Sequence, residues 1–248
     1  MDTQTLALRQ LADYDRREPG LLFAGNAHPM TLDEAYNLQF EVARLRQLRG
    51  ERVVGFKIGC VSQVMQRQLG LDRPVFGHIF DTELHVSPAV LSLTRFAGLA
   101  VEGEFAVRLA ADPTQAIAAA FPVIELHHYV FRNRPHTAQE LIGNNAIHAG
   151  VVLPQEEPTD PAALEAAPVE VARNGTLLGA SAPGDLPGGP LSSVALLAAH
   201  LARFGARPLR AGDLILTGSP LPLFPVAAGE RIDVTSGGRQ QVSASICA

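Results

Sequence analysis

Val101-Glu102-Gly103-Glu104-Phe105-Ala106-Val107 lies inside the apolar run 99–110. The run reads as a β-strand. Side chains alternate along a strand, so Glu102 and Glu104 face the same side. Two neighbouring carboxylates on an otherwise buried strand repel each other, and burial raises the cost of keeping them charged. A bound cation relieves both. Gly103, between them, leaves space on the opposite face. Glu pairs are also ordinary on a solvent-facing strand edge, so this stretch alone leaves a metal site and a wet edge both open.

Working outward, the segment 121–130 is a second strand, and Pro122-Val123-Ile124-Glu125-Leu126-His127-His128-Tyr129 embeds another Glu in an apolar run. Three carboxylates without a Cys cluster favour a hard cation, Mg²⁺ or Mn²⁺. Zinc suits such a set less well, although His127 shares the face of Glu125 and can enter the site. His128 reads as a packing or capping residue. Upstream, 52–60 is a mostly apolar strand carrying Lys57, the single Lys among 20 Lys+Arg. Lys and Arg are not interchangeable where a group must titrate or present a compact ammonium, which makes Lys57 a candidate for chemistry. An ammonium in such a strand needs an anionic partner, a substrate carboxylate or the glutamates. The plain alternative is an edge Lys with its head in water.

Helices are expected over 3–18 and 31–49, the second started by Thr31 and ended at Gly50, with the turn Pro19-Gly20 between them. A short helix is expected over 62–70, one or two strands over 74–94, a short Ala-rich helix over 113–120, a brief helix over 136–142 and a strand over 147–153. Residues 154–168 read as a surface connection, 168–178 as a hairpin turning at Asn174-Gly175, and 181–190 as a loop. A helix follows over 190–204, then three short strands within 213–248. The pattern is an α+β chain in one domain, 1–248: a helical part, 1–50, ahead of a β-rich catalytic body, 51–248.

The composition, 47% hydrophobic and 18% charged, is globular, and 22 Gly with 18 Pro fit a turn-rich fold. A net charge of −5 without a basic stripe argues against a nucleic-acid partner. Two cysteines, Cys60 and Cys247, make neither a disulfide framework nor a zinc site and suit a reducing compartment. The charged first 20 residues do not resemble a signal peptide, and no long apolar span suggests a membrane partner; the expected location is the cytoplasm.

Several stretches together carry a resemblance. Glu51-Arg-Val-Val-Gly-Phe-Lys-Ile-Gly59, Gln68-Leu-Gly-Leu-Asp-Arg-Pro74 with Phe76-Gly77, Val101-Glu-Gly-Glu-Phe105, and Leu209-Arg-Ala-Gly-Asp-Leu-Ile-Leu-Thr-Gly218 resemble the 2-keto-4-pentenoate hydratase and 4-oxalocrotonate decarboxylase family of the fumarylacetoacetate hydrolase superfamily. The order of the motifs is more specific than any one of them, and the likeness runs from about Thr31 to the end. It implies a mixed β-roll body of the fumarylacetoacetase C-terminal type. It also implies a Mg²⁺ or Mn²⁺ ion on Glu102, Glu104 and Glu125, with Lys57 at the active site, and a homo-oligomer. The substrate would be a small 2-hydroxy-dienoate or its 2-oxo tautomer from aromatic-ring degradation, with hydration or decarboxylation passing through a shared enolate.

Two positions depart from the family pattern. The Asp that hydratases carry after Phe-Gly falls on Thr82, with Asp81 one residue early, which on a strand changes face. Where a Ser is common two residues before the Gly of Ala149-Gly150, this chain has His148, an acid/base candidate or a core histidine. Asp81 and His148 therefore stand beside Lys57 as candidate catalytic groups. Two other readings are an acylpyruvate-type C–C hydrolase, which would need a His-Glu pair on an early lid that His28 and Glu34 do not resemble, and a non-catalytic partner subunit.

Overall fold

The structure is a computed structural model describing residues 1–111, 117–157, 168–181, 185, 189–237 and 240–248. Two helices open the chain. Helix α1 (Thr3–Asp15) is capped by the Asp2 carboxylate, which accepts from the Thr5 N–H. Helix α2 (Leu32–Leu48) starts with a reciprocal cap in which Thr31 and Glu34 exchange side-chain and backbone hydrogen bonds. Ala7, Leu22, Phe23 and Leu38 form a small apolar cluster between them. From α2, Gln39 Nε2 donates to the Phe76 and Ile142 carbonyls, each at 2.8 Å, and so ties the helical part to the body.

The body contains two mixed sheets. The first has strand order β2-β1-β10-β5-β6-β7-β3, with β11 also paired to β5. Its members are β1 (Val53–Gly59), β2 (Val75–Phe80), β3 (Leu84–Val86), β5 (Leu99–Leu109), β6 (Ile117–His128), β7 (His148–Leu153), β10 (Leu214–Leu216) and β11 (Phe224–Pro225). The second has order β4-β13-β12-β8-β9, from β4 (Ala89–Ser92), β8 (Val169–Arg173), β9 (Thr176–Ser181), β12 (Arg231–Ser236) and β13 (Gln240–Cys247). Helices α3 (Gln63–Leu69), α4 (Ala138–Gly143) and α5 (Gly189–Arg203), with short 3-10 segments at Leu21–Asn26, Asp81–Glu83, Leu93–Arg95 and Asn145–Ile147, complete the described elements.

The central hairpin β5–β6 decides how the sheets lie. Glu102 stands directly across from Glu125, and Glu104 across from Val123. The other face of β5 packs on the second sheet, and there Gly103 is a steric requirement: a Cβ would come within 2.4 Å of Val171 and 3.1 Å of Val234. The main core, including Val101, Phe105, Ile124, Val171 and Val234, fills that interface. On the glutamate face of the curled first sheet lies a second apolar cluster: Ala106, Phe121, Val123, Val151, Leu214 and Leu216. The carboxylates are therefore held at the edge of a dry plug, which is what makes their charge costly.

Most expected elements are present within a residue or two, which is the usual scatter of element ends. The exception is the Ala-rich helix over 113–120. Residues 117–120 belong to strand β6, with Ala119 and Ala120 paired to Arg108 and Val107; 112–116 lie outside the described residues. Alanine's helix propensity is a fraction of a kcal/mol per residue, and the ladder and apolar contacts of a central strand override it. Three strands occupy 74–94, and four occupy 213–248 where three were expected. Most of the surface connection over 154–168 and most of the loop over 181–190 lie outside the described residues. No described helix is long and apolar enough to cross a membrane.

Candidate active site

Strands β1, β5, β6 and β7 bring the ionisable residues together. Lys57 is 3% exposed, and its ammonium lies 3.2 Å from Glu125 Oε1. Gly59 keeps room for that head group: a Cβ there would sit 3.1 Å from Lys57 Nζ. His127, two residues along β6 from Glu125, points the same way. Its Nε2 lies 3.2 Å from Glu102 Oε2 and 3.4 Å from Glu125 Oε2. Across the β6–β7 ladder, His148 is fully buried with Nδ1 2.7 Å from Glu125 Oε1. A carboxylate only accepts, so Nδ1 carries the hydrogen. Glu104 is buried too, with Oε2 accepting from the Gly218 N–H at 2.5 Å. The Thr217 hydroxyl donates to the Phe105 carbonyl, so the segment Asp213–Gly218 fixes Glu104 in place.

Electrostatics separate the two buried carboxylates. Burial, then the charge of Glu125, hold Glu104 well above the ordinary carboxylate range. Burial pulls Glu125 the same way, but Lys57, then His127 and His148, outweigh it and hold Glu125 low. Burial works to lower the Lys57 pKa, and Glu125, Glu102 and Glu104 overcome it, so the ammonium is held above its usual range.

The residues fit a divalent cation. Glu102, Glu125 and His127 each offer a ligand atom, all within 4.8 Å of one another. Neighbouring ligands about 2.1 Å from a metal stand about 3 Å apart, close to the carboxylate–imidazole spacings here. Glu104 Oε1, Glu125 Oε2, both His127 ring nitrogens and His148 Nε2 are buried without a hydrogen-bond partner, and such atoms call for an ion or water. The three glutamates expected from sequence lie in one region, but the described ligand group whose atoms converge is Glu102, Glu125 and His127, without Glu104.

Above this cluster opens a cavity of about 390 Å³, lined on its polar side by Lys57, Glu102 and His127. Part of the wall is a left-handed turn. Asn145, Ala146 and Ile147 have φ of 56°, 50° and 55°, unusual for any non-Gly residue and more so for β-branched Ile147. Asn145 clamps the turn to β2, accepting from the His78 N–H and donating to the His78 carbonyl.

The structure does not bring Asp81 to the cavity. Its carboxylate accepts from the backbone N–H and guanidinium of Arg52 at the surface, each at 2.9 Å. Thr82 donates to Glu51. Two residues on, Glu83 turns inward instead: it is buried, accepts from Arg46 Nη1 at 2.7 Å, and lies 3.7 Å from His148 Nε2. The sequence signal for Glu83 was weak, because the short 3-10 turn Asp81–Glu83 interrupts the strand period that would have assigned its face. His148 sits behind Glu125 rather than in the cavity wall. His128 Nδ1 accepts from the Ala97 N–H, and burial lowers its pKa to about 4, as suits a packed histidine. His28 and Glu34 do not pair: His28 Nε2 faces Arg9, and Glu34 caps α2.

No protein-family model matches the chain. Among solved structures, the chain is similar to 4-oxalocrotonate decarboxylase from Pseudomonas putida G7, complexed with magnesium and adipate. The TM-score is 0.90 at 26% identity, over 98% of this chain and 97% of that one. It shares its fold, at TM-score 0.59 and 18% identity, with fumarylpyruvate hydrolase from Pseudomonas aeruginosa in complex with Mn²⁺ and pyruvate, covering 77% and 88% of the two chains. The fold is therefore the mixed β-roll of these metal-complexed enzymes. In sequence the chain is 34% identical over 230 residues to 2-hydroxyhexa-2,4-dienoate hydratase of Comamonas testosteroni, covering 85% of each. It is 32% identical over 213 residues to 2-keto-4-pentenoate hydratase of Paraburkholderia xenovorans, covering 81% and 78%. The chain belongs to the 2-keto-4-pentenoate hydratase and 4-oxalocrotonate decarboxylase family.

Proposed function

We propose that the chain is a divalent-metal-dependent lyase, a hydratase or decarboxylase, that works on a 2-hydroxy-dienoate through the enolate of its 2-oxo form. The observation that supports this best is the cluster of Lys57, Glu102 and His127 at the polar side of one cavity, backed by buried Glu104 and Glu125, with ligand atoms left unpaired. Glu102, Glu125 and His127 would hold the cation, with Glu104 beside them. When bound, it supplies Lewis-acid stabilisation of enolate charge. Carboxylate oxygens favour Mg²⁺ or Mn²⁺, and the imidazole adds weight to Mn²⁺.

The chain's own residues do the rest. Lys57 presents a fixed positive charge to the substrate carboxylate and keto oxygen, in a site where burial strengthens that attraction. His148 acts as a positioning residue: its Nδ1–H holds the Glu125 carboxylate in one orientation. Burial and the charge of Glu125 raise the Glu104 pKa in the metal-free site, and a bound cation would favour its ionised form. The apolar remainder of the wall keeps bulk water from the developing charge. Asp81 has no place in this scheme. The separation of His28 from Glu34 speaks against the acylpyruvate hydrolase reading. The family resemblance further implies a homo-oligomer; sedimentation at several concentrations tests that.

The test of the activity follows the ultraviolet absorbance of 2-hydroxypenta-2,4-dienoate and 2-hydroxyhexa-2,4-dienoate with Mg²⁺ or Mn²⁺, then with a chelator. Metal-dependent loss of the dienol signal is expected. Unchanged turnover after chelation, or full activity in Glu125→Gln, would overturn the proposal.

A further inference from the structure

A second cavity, of about 220 Å³, is lined in part by α1 and α2, and its wall shares no residue with the cavity that holds Lys57. Tyr14 of α1 and Arg46 of α2 meet Thr82 and Glu83 of the 3-10 turn there. The end of β6 brings His128, and the start of β7 brings Ala149. His85 of β3, with Arg95 and Phe96, completes the wall.

The acids around this cavity are already matched. Glu83 accepts from Arg46 Nη1 at 2.7 Å and from the Phe80 N–H at 3.0 Å, with the Tyr14 hydroxyl 3.5 Å away. The other nitrogens of Arg46 donate to Glu51, which also accepts from Thr82. Three donors in the wall are not matched. Arg95 is exposed and has no hydrogen bond or ion pair among the described residues. His128 Nδ1 accepts from the Ala97 N–H, so the ring hydrogen lies on Nε2. That ring meets Tyr14 edge to face, with centroids 5.0 Å apart, and its Nε2–H has no oxygen or nitrogen acceptor among the described residues. His85 is half-buried and also lacks a hydrogen bond among them. Burial lowers the pKa of both rings, with Arg95 adding to the effect on His85, so both offer N–H groups as neutral imidazoles at pH 7. These imidazoles and Glu83 are not a metal site: the described ligand atoms that converge belong to the other cavity.

We propose that this second cavity binds a small oxyanion, a carboxylate or a phosphate, through Arg95 and the ring N–H groups of His85 and His128. A guanidinium presents a planar fork that matches two oxygens of either group. Glu83 stays with Arg46, so the anion faces no unpaired carboxylate in the wall. The volume lies below that of pockets for drug-sized ligands and suits a small ion, with Phe96 and Ala149 covering the rest of the wall. The site goes beyond the lyase reading and does not depend on it, because none of its residues is assigned to the cation or the substrate.

Histidine ring signals, followed by nuclear magnetic resonance in the Mg²⁺-loaded protein at pH 7, test this. His85→Phe identifies the signal of the second cavity, and His127→Gln that of the catalytic one. Acetate and inorganic phosphate are titrated separately against potassium chloride at constant ionic strength, which keeps screening fixed. The His85 signal should shift and saturate with at least one of the two anions, and which of them saturates it tells a carboxylate site from a phosphate site. Arg95 is exposed and unpaired among the described residues, so Arg95→Ala leaves the fold intact. It should weaken the binding about 10-fold, the loss of a charge-assisted hydrogen bond. Arg95→Lys, which keeps the charge without the fork, should fall between the two. No saturable shift of the His85 signal with either anion, a shift confined to the His127 signal, or unchanged affinity in Arg95→Ala would overturn the proposal.

Discussion

Replacing Lys57 by Met keeps the aliphatic stem and removes the ammonium from a pair whose side chains are 4% and 1% exposed. Three carboxylates then share the site with no buried cation. Breaking such a pair by removing one partner costs about 3–5 kcal/mol. For a chain of 248 residues, each kcal/mol moves Tm by about 2–4 °C, so the metal-free variant should melt roughly 10 °C below wild type at pH 7. The sign with pH follows from Glu125, which Lys57 helps to hold low. A depressed carboxylate contributes stability above the ordinary carboxylate range and loses it as pH falls through its folded value. The gap between variant and wild type should therefore shrink in acid. A divalent cation at about 100 times its Kd should return about 2.7 kcal/mol to either protein. Thermal unfolding in chelator and in excess Mg²⁺, at pH 7 and pH 4, measures all of this. A metal-free variant as stable as wild type at pH 7 would show that Lys57 does not neutralise the buried acids.

Other consequences concern separate parts of the structure. His78 is buried among aromatic rings, and burial, aided by Arg207 and Arg46, lowers its pKa to about 3. The unfolded chain takes up that proton near pH 6.5, so stability is full above pH 6.5 and falls by up to roughly 4 kcal/mol towards pH 3; denaturant titrations of wild type and His78→Phe should diverge in that window. Gly103→Ala places a Cβ 2.4 Å from Val171, and overpacking of this kind costs about 1–3 kcal/mol, readable as a lower denaturation midpoint. His127→Gln removes one atom of the tightest ligand group and should weaken divalent-cation binding about 10-fold or more by calorimetry, while Asp81→Asn should leave it unchanged.

The sheet hairpin and the site's acids were legible because strand period and charge speak together. Glu102, Glu104 and Glu125 stand out as the charges embedded in two apolar runs, and Lys57 as a residue type used once. The Gly103 contact with the second sheet follows from the same alternation. What stayed hidden depends on long-range pairing. The run Ile117–Ala120 is strand only because β5 lies beside it. The parallel pairing of β4 with the terminal strand β13 joins residues about 155 positions apart, which no local pattern announces. Glu83 enters the network of His148 and Arg46 through a tight turn, and His127 joins Glu102 and Glu125 as a ligand because the sheet brings their side-chain tips together, a property that only packing sets.

The central claim is that this site forms the enolate of a 2-oxo acid with the help of a divalent cation and Lys57. It is tested most directly by exchange of the C3 hydrogens of 2-oxobutanoate in D₂O, followed by proton nuclear magnetic resonance, because exchange reports the enolate whatever the later step is. Loss of the C3 signal well above the protein-free rate, stopped by a chelator and by Lys57→Met, is the predicted result. No exchange above the protein-free rate in a folded protein that binds both metal and 2-oxo acid, or exchange that persists in chelator, would contradict it.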